Sequence, residues 1–223
     1  MRERPILFSG PMVRAILDGK KTQTRRIVKP QPLTPNPTRW WWPLCGAKFS
    51  PAEFDGQLLA PCPYGAPGDR LWVRETCSLM TVEPVAGAVS RSLSTEEARQ
   101  RTRFAADGTE PYGKWTPAIH MPRWASRLTL EVVSVRVERL NDISEEDAQA
   151  EGVAPFFEVY KGMGQEQTIS TGERAADAPH RASFACLWDE INGDRALWKS
   201  NPWVWVVEFK RAEPTPGQTE GGR

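Results

Sequence analysis

The chain has 223 residues, of which 39% are hydrophobic and 26% charged, and its formal net charge is only +1. No apolar run approaches the roughly 18 residues that a membrane-spanning helix needs, so the composition excludes a transmembrane protein. The near-neutral charge excludes a broadly basic surface, and any contact with nucleic acid must therefore rest on a local patch.

The N-terminal sequence and the cysteines indicate a cytoplasmic protein. The apolar stretch near the N-terminus is interrupted by Ser9-Gly10-Pro11 and has no small-residue cleavage site, which argues against a signal peptide. The four cysteines are too far apart for a disulfide framework, and reduced thiols are expected. Cys45 and Cys62 lie in Pro-rich sequence and leave a zinc site open as a minor alternative. We expect no metal and no cofactor.

A short helix followed by a strand is predicted near the N-terminus. Ser9 can cap a helix that Gly10 and Pro11 open, and Gly19 lies just past its end. In the polar run 20–26, threonines alternate with long polar side chains. This pattern predicts a loop that enters a strand.

Three stretches lack a sustained hydrophobic period and are interpreted as insertions, at about 30–67, 78–118 and 154–181. The first carries Trp40 to Trp42, which either fold back over the domain or form the lid of a pocket. The second can start a surface helix at Ser94 by capping. The third contains aromatic residues among glycines and predicts a flap over an apolar surface.

The remaining sequence predicts three strands and two helices. Strands are predicted at 70–75, with Trp72 on the face opposite Leu71 and Val73, at 127–137, and at 203–209, which is apolar on both faces and hence central. In the second of these strands the apolar phase slips by one residue after Val132, as a β-bulge or a strand buried on both faces would explain.

The two helices are indicated by capping and periodicity. Ser144 and Asp147 predict a capping box at the start of a short helix that ends near Gly152. Phe184, Leu187, Trp188 and Ile191 predict the apolar face of a helix that ends at Asn192-Gly193. Residues 212–223 lack aromatic side chains and are expected to be disordered.

These elements predict an α+β fold, a small β-barrel with a few peripheral helices and long insertion loops, in a single domain over 1–211. The sequence contains no Gly-rich phosphate loop, GxSxG elbow or HExxH motif. Nucleotide triphosphatases, serine hydrolases and metalloproteases therefore lack the residues that they need.

The run from Ile16 to Arg26, Ile-Leu-Asp-Gly-Lys-Lys-Thr-Gln-Thr-Arg-Arg, resembles the helix-Gly-Lys-Thr-x-Thr-x-Arg signature of ASCH domains. These domains are relatives of the PUA barrel and bind RNA or modified nucleosides. The chain is more closely similar to phage and prophage members with large insertions. The matched blocks are roughly 4–29, 67–76, 122–153 and 182–210, a little over half the chain.

The resemblance implies a set of catalytic residues. Some bacterial ASCH proteins are amidohydrolases that remove the acetyl group of N4-acetylcytidine with a Lys, a Thr three residues later and a distant Glu. On this sequence those residues fall on Lys21, Thr24 and Glu151, with Arg26 as the basic residue of the signature. A threonine hydroxyl is a weak nucleophile and needs a base, which a desolvated lysine can supply, while a carboxyl group can pass a proton to the leaving amine.

Further residues are candidates for substrate binding. Lys20 and Arg26 belong to the one strong basic cluster of the sequence, which favours phosphate contact. Trp72 and Trp124 lie off the regular apolar faces and are candidates for stacking on a base. Glu75 is the alternative acid if Glu151 points away from the site.

The leading hypothesis is a pocket that binds a modified nucleoside or single-stranded nucleic acid and hydrolyses the amide of an N4-acylated cytidine. The alternatives are a non-catalytic reader of RNA or modified DNA bases and a metal-independent ribonuclease. The near-neutral charge favours a nucleoside-sized substrate over a long polymer. No membrane partner is expected, and the oligomeric state stays open.

Overall fold

The computed structural model describes residues 1–36, 39–42, 47–49, 62–79, 94–161 and 174–212. The chain divides into two compact units. The first unit comprises the described parts of Met1–Arg14, Gly68–Val132 and Lys210–Arg223, and the second unit those of Ala15–Pro67 and Val133–Phe209. A single domain over 1–211 stays a prediction.

Strands and helices alternate irregularly along the described chain. The strands are β1 (Glu3–Leu7), β2 (Gln23–Ile27), β3 (Leu33–Asn36), β4 (Arg39–Trp42), β5 (Ala47–Phe49), β6 (Arg70–Arg74), β7 (Cys77–Ser78), β8 (Arg103–Phe104), β9 (Thr129–Arg139) and β10 (Trp203–Arg211). The α-helices are α1 (Gly10–Leu17), α2 (Thr95–Gln100), α3 (Glu145–Ala150), α4 (Phe156–Val159) and α5 (Pro179–Asn192).

The main sheet has the strand order β1-β6-β9-β10-β2. Strands β1 and β6 pair in parallel, while β6 with β9 and β10 with β2 pair antiparallel. The α+β class is thereby confirmed, and the central position predicted for β10 is correct. Among the described strands β1 and β2 are the two edges, so this sheet is not closed into a barrel.

The first predicted insertion contains a second small sheet. Strands β3, β4 and β5 form an antiparallel sheet in that order, and β4 includes Trp40 to Trp42. The sequence predicts a loop here. Single short strands become stable only when cross-strand neighbours pair, and pairing is not visible in the local pattern.

The core of the second unit lies between α3, α5 and the strands. Its buried members are Leu140, Ile143, Ala148, Phe184, Ala185, Trp188, Trp198, Val204 and Val206. Helix α5 is the predicted helix, but its apolar face is shifted. Phe184 and Trp188 are buried as expected, whereas Ile191 is 45% exposed. The helix also begins earlier, at Pro179, because the Glu145 carboxylate accepts from the backbone N–H groups of His180 and Arg181.

Strand β9 changes its buried face as the sequence predicts, although its later part is less buried than expected. Leu128, Leu130 and Val132 are buried at even positions, and Val137 is buried at an odd position. Val133 is exposed, so the second apolar phase does not line the core from its first residue.

The capping prediction for α3 is half correct. Ser144 Oγ accepts from the backbone N–H of Asp147 at 3.0 Å, as predicted. The reciprocal half of the box is not formed, because the Asp147 carboxylate binds Arg25 and Arg136 instead. A capping box is complete at α2, where Ser94 and Glu97 satisfy each other's backbone N–H groups.

Two other predictions fall partly outside the described residues. In the third insertion α4 packs against α5, and Phe156 is buried with Ala175 and Ala182, so this part covers an apolar surface as the sequence predicts. Cys45 and the tail after Ala212 lie outside the described residues.

In the part of the chain that is described, every helix is too short or too polar to cross a membrane.

Candidate functional site

A buried ion pair joins Lys21 to Glu151, two residues 130 positions apart in the sequence. Lys21 Nζ donates to Glu151 Oε2 at 2.7 Å and to the Glu151 backbone carbonyl at 2.8 Å. The two side chains are 1% and 3% exposed. The structure thus brings together two of the three residues that the sequence predicts to be catalytic.

Tight turns at both ends of this contact fix its geometry. After α1, Gly19 has a φ of 73°, and the backbone N–H of Lys21 donates to the Ala15 carbonyl at 3.0 Å. After α3, Gly152 has a φ of 81°, and a Cβ atom there would lie 2.8 Å from Lys21 Cβ. Glycine is required at this position both by the backbone conformation and by the close approach of Lys21.

Arg25 holds the other oxygen of Glu151. Its Nη1 donates to Glu151 Oε1 at 3.2 Å, and its Nη2 donates to Glu138 Oε1 at 2.5 Å and to Asp147 Oδ2 at 2.7 Å. The Arg25 side chain is fully buried. Arg136 extends the cluster by binding Asp147, Glu138 and Glu208. Buried charges of this kind are tolerated only when they are paired and hydrogen-bonded.

Thr24 and Arg26 lie on the other face of β2. Gln23 Nε2 donates to the Asp147 carbonyl at 2.6 Å and Arg25 binds the Asp147 carboxylate, so these two residues face α3. Side chains alternate along a strand, which places Thr24 and Arg26 on the opposite face. Thr24 is buried there. Lys21 precedes β2 and is not constrained by this alternation.

The electrostatics around Lys21 favour loss of its proton. Burial lowers the pKa of the Lys21 ammonium, the Glu151 carboxylate opposes this shift, and the positive charges of Arg26 and Arg25 add to the lowering. Arg26 also acts on Tyr64: burial raises the pKa of that phenol and the nearby Arg26 charge opposes the rise. Tyr64 is therefore a neighbour of the site that the sequence patterns do not indicate.

Lys20 is placed differently from Lys21. Its side chain is 74% exposed, with Asp18 Oδ2 at 3.7 Å from its Nζ. A role in substrate binding stays a prediction for Lys20. Of the residues predicted from sequence, Lys20, Lys21, Thr24, Arg26 and Glu151 all belong to the second unit.

Trp72 belongs to the first unit, and two arginines lie close to its ring. The guanidinium carbons of Arg74 and Arg123 are 5.4 and 5.7 Å from the centroid of its ring. Arg123 is itself held by Glu3, at 2.6 and 2.9 Å. Stacking of a base on Trp72 stays a prediction.

Glu75 and Trp124 also lie in the first unit. Glu75 is 1% exposed and accepts two hydrogen bonds from Arg127, at 2.9 and 3.0 Å. Burial raises the pKa of Glu75, and Arg127 offsets part of the rise. Trp124 is half-buried against Met121, Cys77 and their neighbours, and its backbone carbonyl accepts from Arg99.

The sequence patterns miss the roles of Arg25, Asp147 and Glu138. Arg25 is interpreted there as one member of a basic cluster, and Asp147 as half of a capping box. The sequence offers one signal for these roles. Gln23 and Arg25 alternate with Thr24, so polar side chains lie on both faces of β2, and each face is expected to have polar partners.

No group of three potential metal ligands is assembled among the described residues. Cys62 is buried and its sulfur accepts from the backbone N–H of Tyr64 at 3.4 Å. Cys45, its predicted partner in the minor zinc alternative, is outside the described residues.

No protein-family model matches the sequence, and no curated protein matches it. Among solved structures, the chain is similar to the ASCH domain from Lactobacillus crispatus JV V101, determined by crystallography at high resolution. The two are 12% identical, the match covers 94% of this chain and 79% of that chain, and the TM-score is 0.35.

Proposed function

We propose that the protein is an ASCH-type domain of phage or prophage origin that binds a modified nucleoside and hydrolyses the amide of an N4-acylated cytidine. The observation that supports this most is the buried contact between Lys21 Nζ and Glu151 Oε2 at 2.7 Å. The resemblance to the amidohydrolases implies that these residues share a site although 130 positions separate them. A cytoplasmic location suits a nucleoside or RNA substrate.

The reaction follows from the chemistry of the three side chains. Thr24 Oγ attacks the acyl carbon while Lys21 accepts its proton, which forms a tetrahedral intermediate. The intermediate collapses as the C–N bond breaks, and Lys21 or Glu151 returns a proton to the amine of cytidine. The acyl group is then an ester on Thr24, and water hydrolyses it to release the carboxylic acid and restore the hydroxyl.

The surroundings of Lys21 support its role as the base. Burial lowers the pKa of its ammonium group, so a larger fraction is neutral near neutral pH than for a lysine in water. Arg26 lies on the same face of β2 as Thr24, where a cation can stabilise the oxyanion that develops during attack.

A second candidate function is a non-catalytic reader of modified bases in RNA or DNA. The alternation along β2 favours it, because Thr24 faces away from Arg25, which binds Glu151. In a reader, the Lys21–Glu151 pair would position the strand and the turn, while Thr24 and Arg26 would bind the base.

Thr24→Ala separates the two candidates, with Thr22→Ala as the matched control because Thr22 is exposed. In the hydrolase, Thr24→Ala lowers turnover of N4-acetylcytidine by about 10³-fold or more, since the attacking atom is removed. The affinity for the nucleoside changes by no more than about 1.5 kcal/mol, the range for one hydrogen bond. Product formation is followed by mass spectrometry, and affinity by calorimetry on the same samples.

Lys21→Met provides the second comparison, because it keeps the length of the side chain and removes the base and the charge. The hydrolase loses turnover in this variant as well. If the wild-type protein releases no acid from N4-acetylcytidine yet binds oligonucleotides that carry this base, and Lys21→Met and Arg26→Ala both weaken that binding, the reader is correct and the hydrolase is wrong.

A further inference from the structure

Glu151 is held by two cations that differ in their freedom to change charge. Lys21 occupies Oε2 and Arg25 occupies Oε1, at 2.7 and 3.2 Å. A guanidinium stays protonated under all ordinary conditions, whereas a buried lysine can lose its proton. The two contacts are therefore not equivalent when Lys21 acts as a base.

The position of Arg25 does not depend on Glu151. Its remaining donors are bound by Glu138 on β9 and Asp147 on α3, at 2.5 and 2.7 Å. Arg136 also binds both of these carboxylates. The guanidinium thus stays fixed by two elements of the fold when the charge of Lys21 changes.

We infer that Arg25 is a positioning residue for the proposed hydrolysis: it holds the Glu151 carboxylate in place while Lys21 takes the proton from Thr24 and returns it. This inference rests on the proposed function. Without Arg25, loss of the Lys21 proton would leave the buried Glu151 carboxylate without a cation. Lys21 would therefore keep its proton and could not act as the base.

The charge environment of Lys21 is defined by several elements. The charged groups around it and its partners are Arg25 and Arg26 on β2, Glu138 and Arg136 on β9, Asp147 on α3, Glu151 after α3 and Glu208 on β10. Of the arginines in this set, Arg25 binds Glu151, while Arg136 binds three other carboxylates. This difference provides a matched control.

The experiment compares Arg25→Gln, Arg25→Lys and Arg136→Gln in the full chain. The titration midpoint of Lys21 is measured by NMR on protein with ¹³C-labelled lysine, with Lys21→Met to assign the signal. The pH profile of kcat/KM for N4-acetylcytidine is measured in parallel. Removal of a neighbouring positive charge raises the Lys21 midpoint, so Arg25→Gln shifts it upward by about 1 pH unit and the acid limb of the profile moves with it. In Arg136→Gln we expect the Lys21 midpoint and the acid limb of the profile to stay at their wild-type values.

Arg25→Lys keeps the charge but loses the planar fork. The inference expects the Lys21 midpoint to stay and kcat to fall by about 10-fold, because Glu151 is less well held. A midpoint that is the same in Arg25→Gln and wild type overturns the inference, as does a one-unit shift in Arg25→Lys or Arg136→Gln. If Arg25→Gln does not fold, the Lys21 midpoints and the kcat values of Arg25→Lys and Arg136→Gln still test the inference. If the wild type shows no turnover, the proposed function fails, and the NMR titration alone decides whether Arg25 sets the proton affinity of Lys21.

Discussion

The two units each bury a glutamate beside an arginine, and the two pairs differ in how the carboxylate is shared. In the second unit, Glu151 receives one oxygen contact from Lys21 and one from Arg25, and both cations are buried. In the first unit, Glu75 receives both of its contacts from Arg127, whose side chain is 25% exposed and also binds Asp107.

This difference affects what each carboxylate can do. Among the described residues Glu75 is paired with one cation, Arg127, which water partly screens, and burial raises the pKa of Glu75. Glu151 has two cationic partners, and Arg25 keeps its charge when Lys21 loses its proton. Proton transfer at Lys21 therefore leaves Glu151 paired, while Glu75 is better suited to hold Arg127 against the Phe104 ring, with the guanidinium carbon 4.0 Å from its centroid.

The largest expected contrast is in stability after deletion of each carboxylate. Glu151→Ala leaves Lys21 buried without its carboxylate, and removal of one partner of a buried pair costs about 3–5 kcal/mol. Glu75→Ala leaves Arg127 with Asp107 and with water, so we expect a smaller loss, about 1.5–3 kcal/mol, the range for a hydrogen bond to a charged group. Urea unfolding of both variants measures the two free energies. Equal losses would contradict the distinction between the two pairs.

The second contrast concerns the turn that holds Glu151. Gly152 and Gly68 both have positive φ, at 81° and 86°, but only a Cβ on Gly152 would meet atoms, with Lys21 Cβ at 2.8 Å and Ala15 Cβ at 2.9 Å. Gly68→Ala pays only the conformational cost of about 1–2 kcal/mol. In Gly152→Ala, overpacking adds about 1–3 kcal/mol to that cost.

Thermal unfolding of the two glycine variants in one buffer measures the difference in stability between them. The Gly152→Ala protein should also turn over N4-acetylcytidine more slowly, because displacement of Lys21 disturbs its contact with Glu151. A Gly152→Ala protein as stable as Gly68→Ala would show that the two chain segments do not approach this closely.

The smallest contrast is in the pH dependence of stability. Burial raises the pKa of Glu75 above its ordinary 4.5, so its contribution to stability is complete below pH 4.5 and is lost as pH rises through the folded-state pKa. For Asp147, burial alone would raise the pKa, but Arg25 and Arg136 outweigh it and lower the pKa below 3.8. Its contribution is present above pH 3.8 and is lost as pH falls through the folded-state value.

Glu75→Gln should therefore destabilise the protein more at pH 4 than at pH 8, and Asp147→Asn more at pH 6 than at about pH 3. Urea unfolding across this range at constant ionic strength measures both trends. Parallel trends in the two variants would contradict the assignment of opposite shifts.

Much of the fold could be predicted from local signals. The turn after α1 at Gly19, the Ser94 and Ser144 caps and the apolar strand β10 depend on neighbours within a few residues, and the structure confirms them. The exposure of Ile191 on α5 and the strands around Trp40 to Trp42 were not predicted, because both depend on which distant surface packs or pairs with them.

The sequence by itself indicated the candidate residues: Lys21 and Thr24 through the fixed spacing of a short signature, and Glu151 through the resemblance to the amidohydrolases. Only the tertiary structure decided their electrostatics. The contact between Lys21 and Glu151 spans 130 positions, and Arg25 binds carboxylates from two other segments, Glu138 on β9 and Asp147 and Glu151 at α3. Charge interactions depend on distance and burial, which no local pattern contains, and a residue that appears to be one of several surface cations is therefore the buried centre of the cluster.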